Sequence, residues 1–157
     1  MSNVITIEFF SKKDFPPGEW LNEPDLCFWY YHNTPCLALR DMSMGIWKGF
    51  VGLEEGHSLY EKPMDKIIEH PQALELFRVA YGGLSGAGRL PTKYQNFAKG
   101  CWWIGIETSR GSDLMPLLKL DQADSDMAKL LANQTYKDLH FIRRETNKLA
   151  KHLLKLK

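Results

Sequence analysis

The sequence has little of several things that usually announce a function. Cysteine is scarce: Cys27, Cys36 and Cys101 are the only three in 157 residues. No two of them have the C-x-x-C spacing of a zinc knuckle or redox pair. An odd, unpatterned set predicts free thiols and a reducing, cytoplasmic setting. No apolar run approaches the roughly 20 residues that cross a bilayer. The opening MSNVITIEFFSKKD lacks a basic stretch followed by an apolar core, so neither a secretory signal nor a membrane partner is expected. Net charge is nearly absent too, since 20 Lys and Arg against 19 Asp and Glu leave +1. That balance removes any global pull toward nucleic acid or anionic lipid. Repeats, low-complexity tracts, a G-x-S-x-G elbow and a Cys-His nucleophile pattern are all missing.

What is present is a globular composition rich in large rings. Hydrophobic residues make up 44% and charged residues 25%, and five tryptophans contribute to an aromatic share of 12%. Such a chain has enough apolar surface for one core. β-Branched and aromatic runs predict strands over 4–10, 26–32, 36–42, 45–53 and 101–108, with a loop at 14–25 and a His-Asn-Thr-Pro turn at 32–35. Residues 64–77 have helical spacing in Ile67, Ile68, Leu74 and Phe77, with Pro71 kinking or restarting the helix. A polar stretch at 121–126 precedes a C-terminal amphipathic helix over about 134–156. There Thr135 and Asp138 suggest a capping box, and Leu139, Ile142, Leu149, Leu153 and Leu156 form an apolar stripe interrupted by Thr146. The expected fold is α+β: a single domain over 1–157, mainly antiparallel sheet, with one mid-chain helix and that long last helix.

Several segments in one order carry a resemblance: GEWLNEPD, CLALRDMSMGIWKGFVGLEEGHSLYEK, YGGLS, WWIGIETSRGSDLMP and TYKDLHFIRRETNKLAKHL. The chain resembles, over roughly 18–154, a family of small phage and prophage proteins of no established activity. Its pattern reads G-x-W-x-x-E-P-D, C-L-x-x-R-N, G-Y-V-G-V-P-x-G-H-P, H-G-G-L-T and W-W-x-G-F-D-x-A-H-x-G-D. The resemblance implies a bacterial, phage-borne setting. It also implies a shared pocket in which His57 and Asp113 match the family's histidine and aspartate. Tyr81 stands for a histidine, Glu107 for an aspartate, and Arg110 for a second histidine. Exchanging two imidazoles for a phenol and a guanidinium removes most of a metal ligand set, because Arg cannot ligate a cation. No metal or other cofactor is expected.

The glycine-rich RVAYGGLSGAGR (78–89) completes neither a Walker A loop nor a dinucleotide fingerprint, and Pro91 argues against a helix starting there. It reads either as a mobile turn or as an anion-binding nest assisted by Arg89. Trp102 and Trp103 fall on opposite faces of their strand, one in the core and the other free to stack on a ligand ring. The expected ligand-binding set is His57, Tyr81, Gly82, Gly83, Arg89, Trp103, Glu107, Arg110 and Asp113, with no catalytic residue assigned. Such a set favours binding over catalysis. Its partner would be a host or defence protein, or a small anionic ligand such as a nucleotide signal. The last helix would also offer its apolar stripe to a homodimer. Two alternatives are a hydrolase using His57 with Glu107 or Asp113, and a nucleic-acid binder using the basic last helix. For that helix, a solvated charged face is the commoner role, so nucleic acid is not the preferred partner.

Overall fold

His32 and Asn33 both adopt left-handed backbone, with φ of 46° and 65°. Two such residues make the hairpin turn whose twist matches that of the flanking strands. They join β2 (Leu26–Tyr31) to β3 (Thr34–Arg40), with Tyr31 opposite Thr34. Thr34 and Pro35, expected in the turn, therefore begin the strand. The computed structural model describes residues 4–9, 11–13, 15–117 and 134–156. The polar stretch at 121–126 and Phe10 lie outside these.

The remaining strands are β1 (Ile5–Ile7), β4 (Trp47–Leu53), β5 (Gly86–Gly88) and β6 (Trp102–Glu107). They form one antiparallel sheet in the order β1-β2-β3-β4-β6-β5, as the α+β reading expects. The second half of the glycine segment is thus strand rather than turn: Gly86, Ala87 and Gly88 pair with Gly105, Ile104 and Trp103. That pairing also removes the nest, because strand backbone directs successive N–H groups to opposite sides.

Alternation gives the sheet two faces. Cys27, Trp29, Ala38, Trp47, Val51, Ile104 and Ile106 point to one of them. They pack beneath Ile142, Leu149, Ala150 and Leu153 of the last helix, α3 (Leu139–Leu154). Thr146, which interrupts the apolar stripe, marks the close approach. A Cβ added to Gly49 would fall 2.1 Å from its Oγ1, so two small residues let the helix settle on β4. The stripe is consumed by the chain's own sheet and is not offered to a second copy or a host protein.

The helix expected over 64–77 restarts around Pro71, one of the two outcomes expected there, and so is two short helices, α1 (Met64–Ile67) and α2 (Ala73–Val79), rather than one. The break before and at Pro71 resets the helical phase. Ala73 and Leu76 are buried, while Leu74 and Ile68 stand 84% and 60% exposed. The last helix begins at Leu139, not 134. Its cap is Asp138 itself, whose Oδ1 accepts from the Phe141 N–H at 2.8 Å, and Thr135 plays no capping role.

The opposite face holds a smaller cluster of Leu26, Phe28, Leu37, Leu90, Cys101 and Trp103. The segment after β5, including a short 3-10 turn at Thr92–Tyr94, covers part of it through Tyr94, Phe97 and Ala98.

Candidate functional site

Four of the expected site residues meet. The carboxylate of Asp113, fully buried, accepts from the Tyr81 hydroxyl and from the Arg110 backbone N–H at 2.9 Å, and pairs with Lys137 Nζ at 3.2 Å. Burial, then the hydrogen bond to Asp113, pushes the Tyr81 phenol above the ordinary tyrosine range. The Arg110 guanidinium lies 5.2 Å from the Tyr81 ring centroid, and its side chain crosses Gly82. Gly82 and Gly83 both have positive φ, 70° and 85°, the sharp turn that delivers Tyr81 to this spot. Tyr81 also sets its ring edge-on to Phe141 at 4.9 Å. Beside them the Leu114 N–H donates to the Thr135 carbonyl, and the Thr135 N–H donates to the Ser112 carbonyl. Asp113 is thus a pin between the loop after β6 and the approach to α3. Its oxygens are already engaged.

His57 belongs elsewhere. Its Nδ1 accepts from the Leu59 N–H at 3.0 Å, so the ring proton sits on Nε2, which donates to the Leu153 carbonyl at 2.7 Å. Ser58 Oγ donates to the Leu156 carbonyl. Together they close the C-terminal end of α3, where carbonyls lack helical partners. Phe141 and Leu153 are separated by twelve residues of α3, about 18 Å at the helical rise. His57 therefore does not share a pocket with Tyr81. Glu107 joins neither. It stands opposite Lys48 at the start of β4, whereas His57 follows the end of that strand about 17 Å away. Strand alternation also turns Glu107 away from the α3 side. The expected convergence of His57, Tyr81, Glu107, Arg110 and Asp113 reduces to Tyr81, Arg110 and Asp113.

A concavity of about 480 Å3 lies beside His57, with His32, Glu54 and Glu55 on its walls. Among the described residues no group of three or more His, Cys, Asp or Glu is arranged to hold a metal ion.

The most elaborate polar cluster is one that the sequence reading passed over. Arg40 is 4% exposed. Its Nε donates to Asp25 Oδ1 at 3.0 Å, Nη1 to the Gly45 carbonyl at 2.8 Å and to Tyr136 Oη at 3.2 Å, and Nη2 to Glu23 Oε1 at 3.1 Å and the Pro24 carbonyl at 3.3 Å. All five guanidinium donors are used. The plane also lies 4.5 Å from the Trp47 ring centroid. Burial works against the cation, but Tyr136 and Glu23 outweigh it and hold Arg40 firmly charged. Glu23 extends the network to α3, since its Oε2 accepts the Leu139 N–H at 2.7 Å. A carboxylate at a helix N-terminus meets the positive end of the dipole. Glu23 and Asp25 come from GEWLNEPD, Arg40 from CLALRDM and Tyr136 from TYKDLHF. The segments that carry the resemblance are, in this fold, clamps on α3. The signal was in the sequence as E-P-D and a lone strand arginine, but nothing in their spacing pairs them.

Arg89 follows β5 directly, and Trp103 lies on β6. Arg89 Nη1 donates to the Gly100 and Cys101 carbonyls at 2.8 and 3.0 Å, and the guanidinium packs on the rings of Tyr60 and Trp102 at 5.2 and 5.5 Å. It staples the start of β6 rather than facing an anion alone. Trp103 is 3% exposed, in the second core cluster, and Trp102 faces the α3 side. The two tryptophans do take opposite faces. Beyond Trp103 runs a groove of about 550 Å3, bordered by β5, Leu39, Lys48, Phe50, Lys93 and Tyr94. Lys48 shares its charge with Asp41 at 3.1 Å.

All three thiols are buried and unpaired with one another. Burial pushes the Cys36 thiol up to about 12, and raises Cys27 and Cys101 as well, so none is a ready nucleophile. Among the described residues no helix is long and apolar enough to cross a membrane. No family model, curated protein or solved structure matches this chain.

Proposed function

We propose that this chain is a phage or prophage accessory protein that acts by binding in the cytoplasm of a bacterial host. In this reading it inhibits a host or anti-phage defence component by engaging either a protein or a nucleotide-like signal. One observation carries the preference for binding. Two of the three groups that the hydrolase reading would use are occupied in holding the fold: His57 at the end of α3 and Asp113 beneath Tyr81. A general base must reach a substrate proton, and a carboxylate whose oxygens are committed does not. The groove beside β5, in contrast, is open and carries cations at its rim. The phage setting and the inhibitory role follow from the resemblance in the sequence.

The hydrolase alternative asks His57 to act with Glu107 or Asp113, and their separation weighs against it. A nucleic-acid role for α3 finds part of its charge already spent. Lys137 pairs with Asp113, Lys148 with Glu145 at 3.3 Å, and Arg143 lies on the Trp29 ring at 4.9 Å.

The test is capture from a bacterial lysate on the immobilised full chain, followed by native mass spectrometry of the eluted complex. The reading expects one defined host protein, or one anionic small molecule, in fixed stoichiometry. It also expects that a captured enzyme loses activity when the chain is added back. A chain that stays ligand-free and partner-free, or that turns over substrates in a hydrolase screen, overturns it.

A further inference from the structure

Gly86 and Gly88 lack both of the usual reasons to be glycine. Neither has left-handed φ, and a Cβ built on either meets no atom within 4 Å. Gly105, opposite Gly86, differs: a Cβ there would fall 2.9 Å from the Phe50 ring. A glycine inside a strand weakens it and often marks a place where another backbone comes close. The register puts Gly88 opposite Trp103, so both missing side chains would stand on the groove face of the sheet. Their absence leaves a bare backbone strip along the groove.

That strip is also an edge. β5 ends the sheet, and among the described residues its outer side pairs with no strand. The groove floor is Leu39, Phe50 and Trp103, and its charged rim carries Lys93 together with Lys48, which is paired with Asp41 at 3.1 Å. Lys93 is exposed, lies 5.0 Å from the Tyr94 ring centroid, and has no carboxylate partner among the described residues. The Lys48 side chain is 37% exposed. A compact anion would call for enclosed donors, whereas these cations stand apart on the rim of an open trough. An unpaired strand edge recognises main chain, and alternate side chains then supply specificity.

We propose that an extended acidic peptide segment of a protein partner adds to the outer edge of β5 as a seventh strand. On the groove face its alternate side chains lie beside the bare Gly86 and Gly88, and a carboxylate reaches Lys93. This rests on the binding reading above and selects a protein rather than a nucleotide as the ligand.

The experiment is an amide chemical-shift titration of the labelled full chain with the pentapeptide Ac-Asp-Val-Asp-Val-Asp-NH2. Ac-Lys-Val-Lys-Val-Lys-NH2 serves as the control. The expected result is saturable shifts at Gly86, Ala87, Gly88 and Trp103 with the acidic peptide only. The Gly86→Val/Gly88→Val variant keeps the native spectrum and binds at least about tenfold more weakly. Lys93→Glu, a surface change, keeps the native spectrum and weakens the acidic peptide. Shifts that are absent at millimolar peptide, that map to the α3 side, or that persist in the glycine variant overturn the proposal. A lysate partner held equally well by the glycine variant also overturns the groove, yet leaves the binding reading intact. Peptide binding at β5 without any lysate partner does the reverse.

Discussion

On the α3 side of the sheet, polar side chains act as the ends of clamps. Glu23 holds the first turn of the helix, His57 and Ser58 hold its last turn, and Asp113, through Lys137, ties the approach to the loop after β6. On the groove side, Lys93 extends into solvent, β5 is three residues long, and two of those are glycines with open space above them. One face invests its charges in holding the chain together. The other leaves charge and backbone exposed at some expense of stability. The difference separates the residues that look functional by chemical type from the surface that is free to bind.

Substitutions on the clamped face should therefore be far more damaging. Arg40→Leu removes five hydrogen bonds. It also takes one cation from buried Asp25, which keeps Lys12 at 3.4 Å, and from partly buried Glu23. Breaking a buried pair from one side costs about 3–5 kcal/mol. Urea denaturation should find much of the variant's stability gone. Leu149→Ala, in the fully buried stripe, should cost about 2–5 kcal/mol by the same measurement. The identical change at half-buried Leu39, on the groove side, should cost roughly half of that or less. Equal losses at both positions would erase the contrast between the faces.

The Gly49–Thr146 contact offers a finer test. Gly49→Ala forces a methyl against Thr146 Oγ1 and should cost about 1–3 kcal/mol. Thr146→Ala in the same chain should recover part of the loss, which a double-mutant cycle measures. Alkaline pH probes the same face through its thiol. Cys36 is raised from an ordinary value near 9 to about 12, so its contribution is fully present below 9 and is lost as pH rises toward 12. Stability should then fall by up to about 1.4 kcal/mol per pH unit from this group. Cys36→Ala should flatten the slope. Tyr81, also raised, adds to the decline above the ordinary tyrosine range, so Tyr81→Phe should remove a second portion.

Much of this contrast was legible in sequence, and the rest was hidden for identifiable reasons. Five of the six strands and the β2–β3 hairpin follow from local chemistry, because β-branched runs and a His-Asn-Thr-Pro turn declare themselves over a few residues. The last helix was visible from its period, but its start was misplaced. The residue that caps it lies beside Leu139, and its second carboxylate arrives from Glu23, 116 residues away. Thr146 looked like a flaw in the apolar stripe because its counterpart, Gly49, is distant in the chain. Tyr81, Arg110 and Asp113 meet because they are carried on two loops at one end of the fold. His57 was grouped with them by residue type, although it serves the other end of α3. The Arg40 network is not legible in sequence, since a strand arginine and an E-P-D loop each look solvent-bound until they are paired. Gly86 and Gly88 drew attention as a loop, and the structure changes the reason: they lie in a strand that gains nothing structural from them.

That last point can be measured directly through the stability of Gly86→Ala/Gly88→Ala in urea. Alanine in a strand interior is ordinarily favoured over glycine by about 0.5–1 kcal/mol, and open space above both positions predicts no steric penalty. The double variant should be as stable as the parent chain or more so. A loss beyond about 1 kcal/mol, the size of an ordinary destabilising mutation, would mean that the glycines serve the fold, and the division between a clamped face and an open one would fail.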